Sequence, residues 1–162
     1  MHGIATKSYE PDKNNFSILV QNSVTPQNCF NQAVVAVKTT REISLYIAKS
    51  AWNHTTLRKV LGRAEVSVQT ISFKEAILGC NCVKMDIEGA ELPLLDSCDF
   101  TGLKKMVVAY HVNYAPDPNE LLRRIERLKT FFQKVQHKRL PKPEAMINKR
   151  VFPNEIMLYC SN

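Results

Sequence analysis

The 162-residue chain predicts an α/β fold in which short apolar strands end in an acid or a histidine and hand over to helices. Three stretches carry that prediction. In Val83-Lys84-Met85-Asp86-Ile87-Glu88-Gly89-Ala90-Glu91 an apolar run meets three carboxylates and a glycine, ahead of the helix-like Leu92-Pro93-Leu94-Leu95. In a parallel α/β protein this is a buried strand ending at its carboxyl edge, where ligands sit, and the glycine permits a sharp turn or close approach to a ligand. Glu10 stands in the same way between the short strand Ile4–Tyr9 and a helix opened by Pro11, and His111 ends the buried-type strand Lys105–His111. Taken singly, each also fits a plainer role: a solvated strand-to-helix loop with Glu91 complementing the helix dipole, or Glu10 capping its helix.

The remaining elements follow in order. Phe16, Leu19 and Val20 recur at helical spacing to about Gln21. After a Pro/Asn-rich loop, Cys29–Val37 reads as strand, and beyond the polar break Lys38-Thr39-Thr40 the alternation of Glu42–Ile47 reads as another. Trp52–Thr56 is a polar loop. Glu65–Ile71 is strand-like, and Ser72 with Glu75 forms a capping box that opens a short helix. Asp117-Pro118-Asn119-Glu120 is a helix start with Asp as cap, Pro first and Glu third. Leu121, Leu122, Ile125, Leu128 and Phe132 make its buried stripe, with Arg123, Arg124 and Arg127 outside. Lys134–His137 and Glu155–Cys160 are two final strands, joined by a Pro/Lys-rich connection as an antiparallel pair.

Length and composition fit one soluble domain of residues 1–162, 44% hydrophobic and 23% charged. No apolar run reaches the length of a membrane span, and the amino terminus lacks the pattern of a secretory signal, which points to the cytoplasm. The five cysteines are odd in number and lie mostly in or beside apolar runs, as small hydrophobes do in a reducing compartment. Cys80-Asn81-Cys82 has no second pair at zinc-ligand spacing, so no metal site is read from cysteine. Charge is uneven. Arg123 to Arg150 holds ten Lys/Arg against two Glu, within a chain whose net charge is +7. Such a segment meets phosphate or serves as a solvated face, and the lack of interleaved aromatics or a recognition motif favours the latter.

Together these stretches resemble the FkbM-type family of S-adenosylmethionine-dependent methyltransferases. Tyr9-Glu10-Pro11-Asp12 with Asn15 and Leu19 is similar to the family's acidic motif after its second strand. Asn31-Gln32-Ala33-Val34 and Val68-Gln69-Thr70-Ile71-Ser72 look like its third-strand segment and the approach to its short helix. Lys84–Glu91 is close to its most specific signature, and Tyr110-His111 resembles the end of its fifth strand, although Ala109 stands where an acid is common. The order holds over about residues 4–160. The resemblance implies a class I methyltransferase (Rossmann-like) three-layer sandwich, with a mostly parallel sheet of order 3-2-1-4-5-7-6 and a C-terminal antiparallel hairpin. It also implies S-adenosylmethionine as cofactor, with Glu10 on its ribose, Asn31 and Gln32 near its adenine, and Asp86 at its methionine end. Glu88, Glu91 and His111 would line the acceptor rim, and Asp86 or His111 would take the acceptor's proton. No metal is implied.

The family begins one unit earlier, with a central strand and a Gly-rich loop. The five glycines here are scattered and no GxGxG occurs, so the resemblance covers a domain truncated at its N-terminal side. The intact later motifs favour a fragment of a longer protein over a degenerate copy. Three functions follow: O-methylation of a small molecule or glycan, a non-catalytic binding remnant of the fold, and, less favoured, nucleic-acid modification. Acceptor and oligomeric state are not legible.

Overall fold

The computed structural model describes residues 5–36, 41–48, 54–56, 64–115, 117–138 and 155–162. The expected start of the first strand at Ile4, the break Lys38–Thr40, Trp52 and most of the basic C-terminal connection lie outside those residues. The chain divides into two compact units, Met1–Ala76 and Ile77–Asn162.

In the first unit β1 (Ser8–Tyr9) pairs in parallel with β2 (Cys29–Phe30), and Tyr9 stacks on Phe30 with ring centroids 5.1 Å apart. Between them runs helix α1 (Lys13–Asn22). Its cap is Asp12, whose Oδ1 accepts from Asn14 N–H and Asn15 N–H and so satisfies two donors that a helix start leaves open. The long strand expected over Cys29–Val37 is broken. β2 stops at Phe30 and β3 (Ala33–Val35) resumes after Asn31-Gln32, because Asn31 Nδ2 donates to the carbonyls of Glu10 and Pro11 at 2.8 and 3.0 Å. A polar side chain that bonds neighbouring backbone competes with the ladder.

β3 runs parallel to β5 (Ala64–Ser72), and β4 (Glu42–Ile47) runs antiparallel to it, in the order β3–β5–β4. Ala33, Leu45 and Val68 are buried between them, with Ile43 and Ile47 alongside. The capping box forms as expected. Ser72 Oγ donates to Glu75 Oε2 at 2.6 Å, Glu75 N–H returns to Ser72 Oγ at 3.3 Å, and α2 (Phe73–Ala76) follows.

The second unit carries a four-stranded sheet in the order β6–β7–β9–β8, made of β6 (Cys82–Met85), β7 (Lys105–His111), β8 (Lys134–Lys138) and β9 (Glu155–Ser161). β6 and β7 are parallel, whereas β9 is antiparallel to both β7 and β8. The expected C-terminal antiparallel pair is therefore present. The sheets taken together are mixed, parallel and antiparallel, where a mostly parallel sheet was expected, because β4 and β9 both enter against their neighbours. Met106, Val108, Tyr110, Ile156 and Leu158 are fully buried in this sheet.

Helices α3 (Glu91–Ser97) and α4 (Pro118–Leu128) pack on one another, and α3 packs on β7. Asp117 caps α4 through Asn119 N–H at 2.9 Å. The stripe on α4 differs from the expected one: Arg124 is 4% exposed and Leu122 38%, and Arg127, also expected outside, is half-buried. At about 100° per residue Arg124 lies only about 60° from Leu121 around the helix, against about 100° for Leu122. Its guanidinium is fully engaged. Nε and Nη2 reach Asp96 on α3 at 3.0 and 2.8 Å, and Nη1 reaches Tyr110 Oη at 2.9 Å and Glu120 Oε2 at 3.1 Å. Arg127 donates to the carbonyls of Leu95 and Cys98 at 2.9 and 2.6 Å, satisfying acceptors near the end of α3.

Cys98 and Cys160 are buried, Cys29 and Cys80 half-buried, Cys82 exposed, and all five are free thiols. No helix among the described residues is long and apolar enough to cross a membrane.

Removing the buried partner of a charge network costs more than trimming a half-exposed leucine. Arg124→Ala should lower unfolding free energy by about 2–4 kcal/mol in urea denaturation, since Asp96 and Tyr110 lose their partner. Leu122→Ala should cost under about 1 kcal/mol. Equal losses from the two variants would return Leu122 to the core stripe.

Candidate active site

Four of the residues singled out from sequence come together in the second unit, where β6 and β7 end. Met85 is the last paired residue of β6, opposite Val108, and Asp86 comes directly after it, while β7 continues to His111. The chain then turns through Ile87–Ala90. Glu88 and Gly89 both take positive φ, 50° and 95°. Glycine adopts that backbone freely, whereas Glu88 is a non-glycine residue in the left-handed region. The turn is closed by Ala90 N–H to Ile87 O and by Leu92 N–H to Gly89 O, both 3.1 Å.

This reversal sends the three carboxylates to different places. Asp86 is exposed at the rim, with half of its side-chain surface open, and Glu88 is mostly covered. Glu91, the first residue of α3, is 0% exposed. Its Oε2 accepts Gly89 N–H at 2.8 Å, and its Oε1 accepts His111 N–H at 2.8 Å and lies 3.1 Å from His111 Nδ1. The expectation that Glu91 lines the acceptor rim is corrected here: its carboxylate is enclosed, with both oxygens engaged by the turn and by the end of β7.

His111 is 7% exposed. Nδ1 is tied to Glu91, and Nε2 lies 3.4 Å from Glu88 Oε1 and 3.9 Å from Asp86 Oδ1. Burial works against a charged ring. The hydrogen bond to Glu91 and the negative charges of Glu91, Glu88 and Asp86 outweigh it and raise the His111 pKa to about 9. Glu88 is shifted upward too, first by burial and then by Asp86, Glu91 and Glu155, with the charge of His111 opposing. A positively charged imidazole thus sits among three acids, one of which faces outward.

The sequence reading passed over Lys84, whose Nζ lies 3.5 Å from Asp86 Oδ2. The signal was available, since residues two apart in an extended segment share a face. Ala109, noted as standing in an acid's place, is buried at 1% exposure and contributes no polar group.

Glu10, Asn31 and Gln32 belong to the first unit. Glu10 is half-buried, its Oε1 accepts Asp12 N–H at 2.8 Å, and burial raises its pKa, aided by the charge of Asp12 and opposed by that hydrogen bond. Asn31 is exposed and Gln32 half-buried directly after β2. Beside them opens a cleft of about 420 Å³, lined among others by Pro11, Asp12, Asn31, Ile47 and Gln69. On its wall Asp12 Oδ2 lies 4.0 Å from His54 Nε2, and His54 Nδ1 accepts Ala48 N–H at 3.0 Å. The structure therefore groups Glu10, Asn31 and Gln32 in one unit, and Asp86, Glu88, Glu91 and His111 in the other.

A family model described as the methyltransferase FkbM domain matches residues 4–138, a span that contains every one of these site residues. No curated protein and no solved structure matches the chain. A match over most of the chain decides the assignment: the chain belongs to the FkbM methyltransferase domain family, which implies a methyl donor as cofactor.

Proposed function

We propose that the chain is an S-adenosylmethionine-dependent O-methyltransferase whose acceptor, a small molecule or glycan, binds at the Asp86–Glu88–His111 cluster. The observation that carries this reading is the half-open Asp86 carboxylate beside a buried, charged imidazole at the carboxyl ends of two parallel strands. That is where α/β folds bind ligands.

The donor set suits such a cofactor in part. A carboxylate accepts several hydrogen bonds, so Glu10 retains capacity for ribose hydroxyls beside its bond to Asp12 N–H. Asn31 commits its amide N–H groups to Glu10 and Pro11, so its carbonyl is the atom suited to an adenine amino group, with Gln32 adjacent. A glycine cradle is absent from these 162 residues. When bound, S-adenosylmethionine supplies an electrophilic methyl, and the electron pair of the broken S–C bond stays on sulfur as the C–O bond forms.

The chain's own residues then have distinct tasks. Asp86, exposed and acidic, orients the acceptor hydroxyl and takes its proton. His111 already carries a proton at neutral pH, so it holds Asp86 and Glu88 in place by charge. Glu91 touches neither substrate nor cofactor and positions His111. The alternative, a non-catalytic binding module, is favoured by β6 pairing on one side only among the described residues.

Three measurements test this. Calorimetry should show S-adenosylmethionine binding that Glu10→Ala weakens by roughly 10–100-fold, the loss of one or two hydrogen bonds to a charged group. No binding by the wild-type chain would favour the non-catalytic module. Asp86→Ala should lower kcat by about 10²–10⁴-fold with an unchanged circular dichroism spectrum, and an active variant would take Asp86 out of the mechanism. The third concerns pH. The folded pKa of His111, about 9, lies above its ordinary 6.5, so its contribution to stability is complete below pH 6.5 and disappears as pH rises through about 9. The urea midpoint of the ligand-free protein should fall over that interval, by on the order of 2–3 kcal/mol in unfolding free energy. A midpoint that climbs instead would mean that His111 is neutral when folded.

A further inference from the structure

We propose that Asp86, Glu88 and His111 bind a divalent transition-metal cation, Mn²⁺ in type, through Asp86 Oδ1, Glu88 Oε1 and His111 Nε2. The proposal deepens the reading of this cluster as the acceptor site.

The geometry is that of ligands waiting for a centre. One donor atom from each residue lies within 4.8 Å of the others. Nε2 is 3.4 Å from the Glu88 oxygen and 3.9 Å from the Asp86 oxygen. A charged hydrogen bond between imidazole and carboxylate runs at about 2.7–2.9 Å, so both separations are long for that purpose. Ligands about 2.1 Å from a shared ion stand roughly 3.0–3.5 Å apart in octahedral or tetrahedral arrangement. The Glu88 separation already falls there, and the half-exposed Asp86 side chain would swing inward from the rim to complete the set.

Orientation supplies an independent argument. His111 is more than nine-tenths buried, and its ring is fixed from the far side by Glu91, itself fully buried. With Nδ1–H donated to Glu91, Nε2 points at Asp86 and Glu88. Ligating histidines are held in this way, through a carboxylate on the second nitrogen. Because Glu91 also accepts from the backbone N–H groups of Gly89 and His111, the arm that aims the ring is locked to both strand ends.

Charge points the same way. Three carboxylates surround one imidazole, and Lys84 approaches only the outer oxygen of Asp86, Oδ2, at 3.5 Å. A divalent ion takes the place of the Nε2 proton among these carboxylates. Two oxygens and one imidazole nitrogen suit Mn²⁺ or Zn²⁺ better than Ca²⁺. Three protein ligands with an open rim at Asp86 leave positions for water or a hydroxyl, as in catalytic rather than structural sites. An acceptor hydroxyl placed there would be acidified, with Asp86 Oδ2 beside it to receive the proton.

The test titrates Mn²⁺ into the chelator-treated, folded chain by calorimetry and by loss of the free-ion electron paramagnetic resonance signal. One site of micromolar affinity is expected. Asp86→Asn and Glu88→Gln should each weaken it at least 10-fold with an unchanged circular dichroism spectrum. Glu91→Gln, which leaves all three ligands in place but gives up an acceptor in the bonding that aims His111 and closes the turn, should weaken it by 10–100-fold. No binding by the wild-type chain overturns the proposal. So does binding that survives the Asp86→Asn, Glu88→Gln double variant, and so does tighter binding of Ca²⁺ than of Mn²⁺. The titration needs neither methyl donor nor acceptor. S-adenosylmethionine binding without Mn²⁺ binding therefore sinks this proposal alone, and the reverse pattern sinks only the methyltransferase reading.

Discussion

The constraint on which the rest of the second unit depends is the burial of the Glu91 carboxylate. An ionised carboxyl removed from water is expensive unless hydrogen bonds and opposite charge surround it. Glu91 receives both: two backbone N–H groups and the His111 ring. Those donors come from the turn after β6 and from the last residue of β7. The carboxylate thereby fixes how two strand ends and the start of α3 meet. Every distance at the rim, from Nε2 to Glu88 and to Asp86, follows from where Glu91 holds the imidazole. The left-handed backbone at Glu88 belongs to the same arrangement, because that turn is what lets residue 91 face inward and residue 86 outward.

A similar solution recurs between α3 and α4. Arg124 is buried only because Asp96, Glu120 and the Tyr110 hydroxyl use its donors together. Tyr110 immediately precedes His111, so this second polar network grips β7 one residue before the site. Both networks thus converge on the same strand end from its helical neighbours. A strand end held from two sides is a stiffer platform than a loop, and preorganised side chains are what positioning chemistry requires.

Much of this was legible from the residues alone. The strand that ends at Asp86, the strand that ends at His111, the Ser72–Glu75 box and the Asp117 cap all follow from local pattern, and local interactions settle them. What sequence could not settle depended on three-dimensional partners. Nothing in the spacing of Asp86, Glu88 and Glu91 says which acid turns inward, since the positive φ at Glu88 breaks the alternation that a strand would impose. Arg124 reads as solvent-facing because arginine usually is, and only the acids and the tyrosine hydroxyl arrayed around it reverse that. Asn31 and Gln32 sit in an apolar run, and what interrupts the strand is a side-chain bond to carbonyls twenty and twenty-one residues away. The antiparallel entry of β4 and β9 depends on long-range pairing of the same kind.

Local charge, rather than the chain's overall charge, decides what this site attracts. The chain is basic at +7, and much of that charge lies between Arg123 and Arg150. Around His111 the balance is reversed. Three acids lie within 4 Å of its ring nitrogens, and burial pushes one of them, Glu88, toward its neutral form. Exposed charges farther from these acids than a Debye length of about 8 Å are largely screened. Groups in contact offset the acids more effectively, among the described residues the His111 proton and Lys84 at the outer edge. The fold thus produces, at the ends of β6 and β7, an acidic cup with the charged His111 ring at its buried side. A neutral hydroxyl or a cation is favoured at its mouth, and an anionic group is not.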